Sequence, residues 1–243
     1  MILRRIKAHV EEENWFAVGI DFCIVVIGVF IGLQVANWNE ARSENERVAS
    51  QLASFRSELI LARDYFAAAQ AYLDDRIEGV ATLRHRLEQG DDFTEEEFNP
   101  LVASAIRGDS FNMAFRGYEE LTTTGAISKI DDARLRDLLH EWDTQLTFIN
   151  NTDVVLADVR ANLITPAVLY GTNFANALQT DERYSDFTVA NRFEFDIEEI
   201  RANRALDGAL AMQQLQAKLQ LNTVNDFINI TEALIIALSE GDA

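Results

Sequence analysis

Apolar positions change their spacing along this chain, and the change separates two kinds of helix. From Phe22 to Ala36 (FCIVVIGVFIGLQVA) the sequence runs without a charge. Beyond it, apolar residues recur every third or fourth place, at Val48, Leu52, Phe55, Leu59, Ala62, Phe66, Ala69, Leu73, Val80, Leu83 and Leu87. The first pattern suits a helix surrounded by lipid, the second an amphipathic helix with one buried face. The first proline is Pro100, and Gly79 is the only glycine between Gly32 and Gly90. Residues 40–89 therefore read as one long helix continuous with the apolar run, ending at the helix-terminating Gly90. Arg76 breaks the stripe, and Ile77 beside it is expected to supply part of the missing contact. Such a stripe serves either a parallel coiled coil with a second copy or the first helix of an antiparallel bundle. The many alanines and the helical patterns downstream favour the bundle.

Thr94 is placed to cap a short helix whose first turn holds Glu95, Glu96 and Glu97. Periodicity resumes through Tyr118-Glu119-Glu120-Leu121 and again over Asp131–Asn162, with Leu135, Leu138, Leu139, Trp142, Leu146, Ile149, Val154 and Leu156 as the apolar face. Pro166 is expected to interrupt it. Tyr184, Phe187, Val189, Phe193 and Phe195 mark a loop or short strand, and Glu198–Ser239 reads as a final long helix. The fold class predicted is mainly α, with a membrane helix leading into a long amphipathic helix and a helical-bundle soluble domain.

Length and flanks decide what the uncharged run does. Trp15–Ala36 is 22 residues, and at about 1.5 Å per residue it reaches roughly 33 Å, enough to cross a bilayer core. Trp15 and Trp38 bracket it as interfacial residues do, and Gln34-Val35-Ala36-Asn37 is a poor cleavage site for a signal peptide. Arg4, Arg5 and Lys7 precede the run, while only Arg42 and Arg47 follow closely. This bias favours a cytoplasmic N-terminus. The expected division is a cytoplasmic segment 1–14, a transmembrane helix 15–37, a stalk helix 38–90 and an extracytoplasmic helical remainder 91–243.

Within the span, Gly28, Gly32 and Ala36 form a small-residue face that would let two helices approach closely, and Asp21 shares that face. Asp21 reads either as a hydrated residue near the interface or as a proton-carrying carboxylate of an ion-coupled subunit, its neutral form favoured by lipid burial. These features point to the lipid bilayer and to a homo-oligomer or membrane-protein complex as partners.

Charge and composition then narrow the chemistry. The formal net charge is −19, and beyond residue 38 there are 36 acids against 18 bases, a field that repels phosphate backbones and argues against a nucleic-acid partner. The single cysteine, Cys23, lies in the apolar run, so no disulfide forms within the chain. His9, His85 and His140 have no metal-ligand spacing, and no nucleophile elbow, phosphate loop or dinucleotide fingerprint occurs. No catalytic residue, cofactor or metal is expected, and the chain does not read as an enzyme. One ligand-site candidate stands out: Arg116, Tyr118 and Glu119, before Thr122-Thr123-Thr124-Gly125. The alternative is that the threonines and Gly125 simply close one helix and open another.

Ile24–Glu40 (IVVIGVFIGLQVANWNE), taken with Tyr118-Glu119-Glu120-Leu121, Gly125, Ile127, Ile130, Leu135-Arg136 and Leu139, resembles a widespread family of bacterial membrane-anchored proteins known only as a domain of unknown function. The resemblance covers the first forty residues and about twenty-five in the middle. It implies a single-pass bacterial protein with a helical domain, which with the orientation above places the anchor in a bacterial inner membrane and the domain in the periplasm, and it brings no activity with it. The function expected is that of an interaction, scaffold or accessory subunit. A ligand-sensing bundle that signals through a partner and an ion-coupled motor-type subunit using Asp21 are the alternatives.

Overall fold

A computed structural model describes residues 15–106, 111, 113–172, 176–177 and 194–240. They form seven helices: α1 Trp15–Gln89, α2 Glu95–Ile106, α3 Arg116–Thr123, α4 Ala133–Val159, α5 Thr165–Gly171, α6 Ile197–Ala202 and α7 Arg204–Glu240. A 3₁₀ turn at Ala126–Lys129 precedes α4, and a π-helical turn at Arg160–Ile164 joins α4 to α5. Among the described residues there is no strand. The chain falls into two units, residues 1–51 and 52–243.

In the first unit, α1 is long and apolar enough to cross a membrane. Its apolar side chains are exposed on every side, from Phe22 at 68% through Phe30 at 60% to Trp38 at 65%. A core helix of a soluble protein would have buried them. Beyond the apolar run, α1 carries the ion pairs Arg42–Glu46 at 2.9 Å and Arg47–Glu44 at 2.6 Å, each between neighbours on one helical face.

In the second unit, the stripe expected on α1 is the buried one: Phe55, Leu59, Ala62, Phe66, Ala69, Leu73, Val80 and Leu83 all lie inside. Their partners come from the same chain, as in a bundle. As the α1 residue advances from Arg56 through Phe66 and Arg76 to Arg84, its α7 partner recedes from Ser239 through Phe227 and Gln220 to Gln214. The two helices are therefore antiparallel. The same logic makes α4 antiparallel to α7, since Trp142 meets Thr231 and Asp153 meets Gln220.

Local chemistry sets the ends. Gly90, at φ 77°, turns the chain out of α1, and Asp91 N–H donates back to Arg86 O at 3.2 Å, closing a Schellman motif. Thr94 caps α2 as expected, within a full capping box: Glu97 N–H donates to Thr94 Oγ1 and Thr94 N–H to a Glu97 carboxylate oxygen, both at 3.3 Å.

Three expectations need correction. Pro166 does not interrupt the helical path: the backbone widens into the π turn, and Pro166 falls in the first turn of α5, where its missing N–H costs nothing. The final helix is two helices, because Asn203 Oδ1 accepts from the N–H groups of Ala205 and Leu206, both at 3.1 Å, and so starts α7 afresh. Val154 is 71% exposed and is not part of the inner face of α4, where Asp153 stands instead. Of the aromatic segment, Phe195 is described and lies 5.4 Å from Phe98, ring to ring. Tyr184, Phe187, Val189 and Phe193 lie outside the described residues.

Candidate functional site

The interior of the bundle is layered. At one end is an aromatic cluster centred on Trp142, which is fully buried and has the rings of Phe115, Tyr118, Phe55 and Phe227 at 4.7, 5.1, 5.1 and 5.5 Å. Its indole N–H donates to Thr231 Oγ1 at 3.1 Å, so the largest ring of the core is also tied polar-to-polar to α7. At the other end Val80, Leu83, Phe93, Phe98, Val102, Ile164, Val168, Leu206 and Leu210 make a cluster from α1, the turn after it, α2, the π turn, α5 and α7.

Between these ends lies a polar layer. Arg76 on α1 is 1% exposed, and Gln213, Gln216 and Gln220 on α7 are 0, 2 and 2% exposed. Arg76 Nη1 donates to Gln220 Oε1 at 3.4 Å, and Gln220 Nε2 donates to Asp153 Oδ1 at 3.2 Å on α4. The other Asp153 oxygen accepts from the backbone N–H of Phe111. A guanidinium, an amide and a carboxylate thus connect all three long helices through one chain of hydrogen bonds, in surroundings where each is strengthened by exclusion of water. The side-chain amide of Gln216 is buried with neither its nitrogen nor its oxygen in a hydrogen bond.

Arg76, expected to break the α1 stripe, lies within it. Ile77 does not take over its position: Arg76 itself enters the core at the interval the stripe requires, and Ile77 is half-buried beside it. The signal was present on α7 as well. Its buried positions run Leu206, Leu210, Gln213, Ala217, Gln220, Val224, Phe227, Thr231, Leu234 and Leu238, so the glutamines occupy core places in an unbroken helical repeat.

The ligand-site candidate disperses. Arg116 and Glu119 are exposed, while Tyr118 turns inward onto Phe55 at 5.6 Å and Trp142 at 5.1 Å. The Tyr118 hydroxyl hydrogen-bonds Asp143; burial first, then the charge and hydrogen bond of Asp143, hold its ionisation well above the usual tyrosine range. The three threonine hydroxyls donate to helix carbonyls of Tyr118, Glu119 and Glu120, and Gly125 follows at φ 68°. That is the helix-closing alternative. Within α1, Gly28, Gly32 and Ala36 sit on exposed surface with open space where a Cβ on either glycine would go. The side chain of Asp21 and all of His9 lie outside the described residues, and His85 and His140 are exposed. No group of three or more His, Cys, Asp or Glu able to hold a metal occurs among the described residues.

No family model matches the chain, and neither a curated protein nor a solved structure matches it. Function must be read from its own residues.

Proposed function

We propose that this chain is a membrane-anchored interaction or accessory subunit. The apolar part of α1 lies in the bilayer, and the acidic helical bundle, on the far side from a cytoplasmic N-terminus, engages a partner. The observation that carries this reading is the change of character within α1. Residues 22–38 expose apolar side chains all round, whereas residues 55–83 of the same helix hide a single stripe. A chain placed so invests its apolar surface once in lipid and once in its own core. Three Arg or Lys before the run against two just after it support the orientation.

The test is extraction of tagged full-length protein in mild detergent, native mass determination and identification of what co-purifies, alongside protease digestion of sealed vesicles. A membrane-bound chain whose bundle is cleaved only from the periplasmic side, with a stoichiometric foreign protein at its side, is the expected result. Release by carbonate wash overturns the anchor. A lone monomer that captures no partner overturns the accessory role.

A further inference from the structure

The α4–α7 pair is apolar where its outer flank meets solvent. Phe148 and Val155 share one stripe of α4, at a seven-residue step, and Leu163 follows in the π turn; Met212, Leu215 and Leu219 make a second stripe on α7. All six are between 38 and 60% exposed. Both stripes lie just outside the line where the helices touch. Thr152 and Thr223 line one gap there, beside Asp153 and Gln220. At about 100° per residue Thr152 stands within roughly 60° of Phe148 and Val155, and Thr223 within roughly 80° of the α7 stripe. Because the two helices run antiparallel, these flanks meet, and the stripes are the walls of one groove. Exposed apolar residues scattered singly need no explanation, but two facing stripes mark a contact surface.

Each stripe runs into a carboxylate at its next seven-residue step: Glu141 before Phe148 on α4, and Asp226 after Leu219 on α7, both exposed. The antiparallel register, with Trp142 level with Thr231 and Asp153 with Gln220, puts these two acids at the same end of the groove. The helices around them are acidic too. From Asp137 to Val159 α4 carries five carboxylates and no Lys or Arg, and from Ala205 to Glu240 α7 carries four carboxylates against Lys218. An occupant is therefore selected for positive charge.

We propose that this groove seats an amphipathic helix of a partner protein, apolar on the face that enters it and basic at the end that lies between Glu141 and Asp226. Two antiparallel helices offer a third a furrow to pack in, and apolar residues three and four apart on that helix match its walls. A second copy of this chain is the poorer occupant, because it brings a net charge of −19 to the same carboxylates. The groove rests on the reading of the bundle as a partner-binding domain and gives that reading a surface and a class of partner. All its residues belong to the unit 52–243.

The experiment uses the full chain in phosphatidylcholine nanodiscs, with empty nanodiscs as the blank. The probe is a fluorescent helical peptide of about 18 residues, with leucine along one face and lysine in its last two turns; a second peptide carries glutamate in place of lysine. Anisotropy should show saturable binding of the lysine peptide beyond the blank, weakening as salt rises, and binding of the glutamate peptide at least about tenfold weaker. Leu215→Gln combined with Leu219→Gln should weaken the lysine peptide about tenfold or more, while Val154→Gln, on the other flank of α4, should leave it unchanged. Glu141→Lys combined with Asp226→Lys should weaken it to a similar degree and serves if the glutamine pair alters the helical circular dichroism. Equal binding of the two peptides, binding no greater than to empty nanodiscs, or unchanged binding in the groove variants would overturn the proposal. A native-mass dimer that the glutamine pair dissolves overturns it in favour of a second copy. In the co-purification experiment above, a foreign protein that the glutamine pair still captures overturns the groove and leaves the accessory role standing. Absence of any foreign protein from the native chain overturns the accessory role, and the peptide titration then decides the groove.

Discussion

The backbone N–H of Gly117 donates to both carboxylate oxygens of Glu58, at 3.1 and 2.9 Å. Gly117 lies in the first turn of α3, where N–H groups have no partner within the helix. Phe115, at the cap position, offers no side-chain acceptor. Glu58, reaching over from α1, supplies the charge that the helix start lacks.

That contact requires glycine. A Cβ on Gly117 would stand 3.0 Å from Phe55 Cα, 3.1 Å from Phe55 Cβ and 3.2 Å from a Glu58 oxygen. Backbone on the far side cannot yield as a side-chain tip can, so Gly117→Ala should destabilise the bundle by about 1–3 kcal/mol. Glu58→Ala should cost about 1–2 kcal/mol through the lost cap. Urea unfolding in micelles, followed by circular dichroism, measures both. An alanine at 117 that leaves the midpoint unmoved would show that α3 does not approach α1 this closely.

Thr231→Val keeps the shape of the side chain beside Trp142 and removes the acceptor of its buried indole N–H. The expected cost is about 1–3 kcal/mol, the penalty of one stranded donor. Thr231→Ser keeps the acceptor, loses one methyl and should cost about 1 kcal/mol. If valine proves as mild as serine, the indole is not relying on this oxygen.

How far the sequence carried these features depends on which interaction set them. The α1 stripe was legible because burial on one face of a helix imposes a 3–4 spacing, and Phe55 to Leu83 obey it. Gly90 and Thr94 were legible because turn and cap chemistry is local. The Asn203 break was equally local but lay hidden, since Arg201-Ala202-Asn203-Arg204 reads as helix until the Asn side chain is seen accepting from Leu206. The detour at Pro166 depends on a widened turn that no residue pattern announces. Gly117 is set by a distance to Phe55, 62 positions away in numbering, which no local rule reports. The polar layer was missed for a different reason. Arg76 reads as an interruption when α1 is considered alone, although Gln213 and Gln220 continue the α7 stripe with residues that a packed core accepts only in company.

Tyr118 gives the fold an alkaline weak point. Its folded-state ionisation lies above the ordinary value of 10.0, through burial and through Asp143. The unfolded chain therefore releases this proton first as pH rises. The associated stability is fully present below about pH 10 and is lost progressively as pH climbs from there toward the folded value. Tyr118→Phe should remove that part of the slope, so the difference in unfolding free energy between wild type and variant should shrink above pH 10 and stay flat from pH 7 to 9. Ultraviolet absorbance should show one tyrosinate fewer appearing on unfolding at high pH in the variant. A difference that does not change across this range would mean Tyr118 titrates like a solvated phenol.

The polar layer yields the sharpest contrast, because two substitutions of similar size should have unequal consequences. Gln220→Leu removes the amide that accepts from Arg76 and donates to Asp153, and leaves a guanidinium at 1% exposure deprived of one acceptor. Charged groups are costly to leave short of partners in such surroundings, and a loss of about 2–4 kcal/mol is expected. Arg76→Met instead removes the charge together with its desolvation cost and strands the neutral Gln220 oxygen, so a smaller loss of about 1–2 kcal/mol is expected; only replacing both partners is often neutral or stabilising. The double variant should then recover most of what Gln220→Leu loses, giving a coupling of about 1–3 kcal/mol in a double-mutant cycle. Native mass and cooperativity of unfolding should be read on the same samples. If Arg76→Met unfolds as steeply as wild type yet loses the partner captured by the native chain, the arginine is retained for binding. If it keeps the partner but unfolds less cooperatively, the layer serves to hold α1, α4 and α7 in one register.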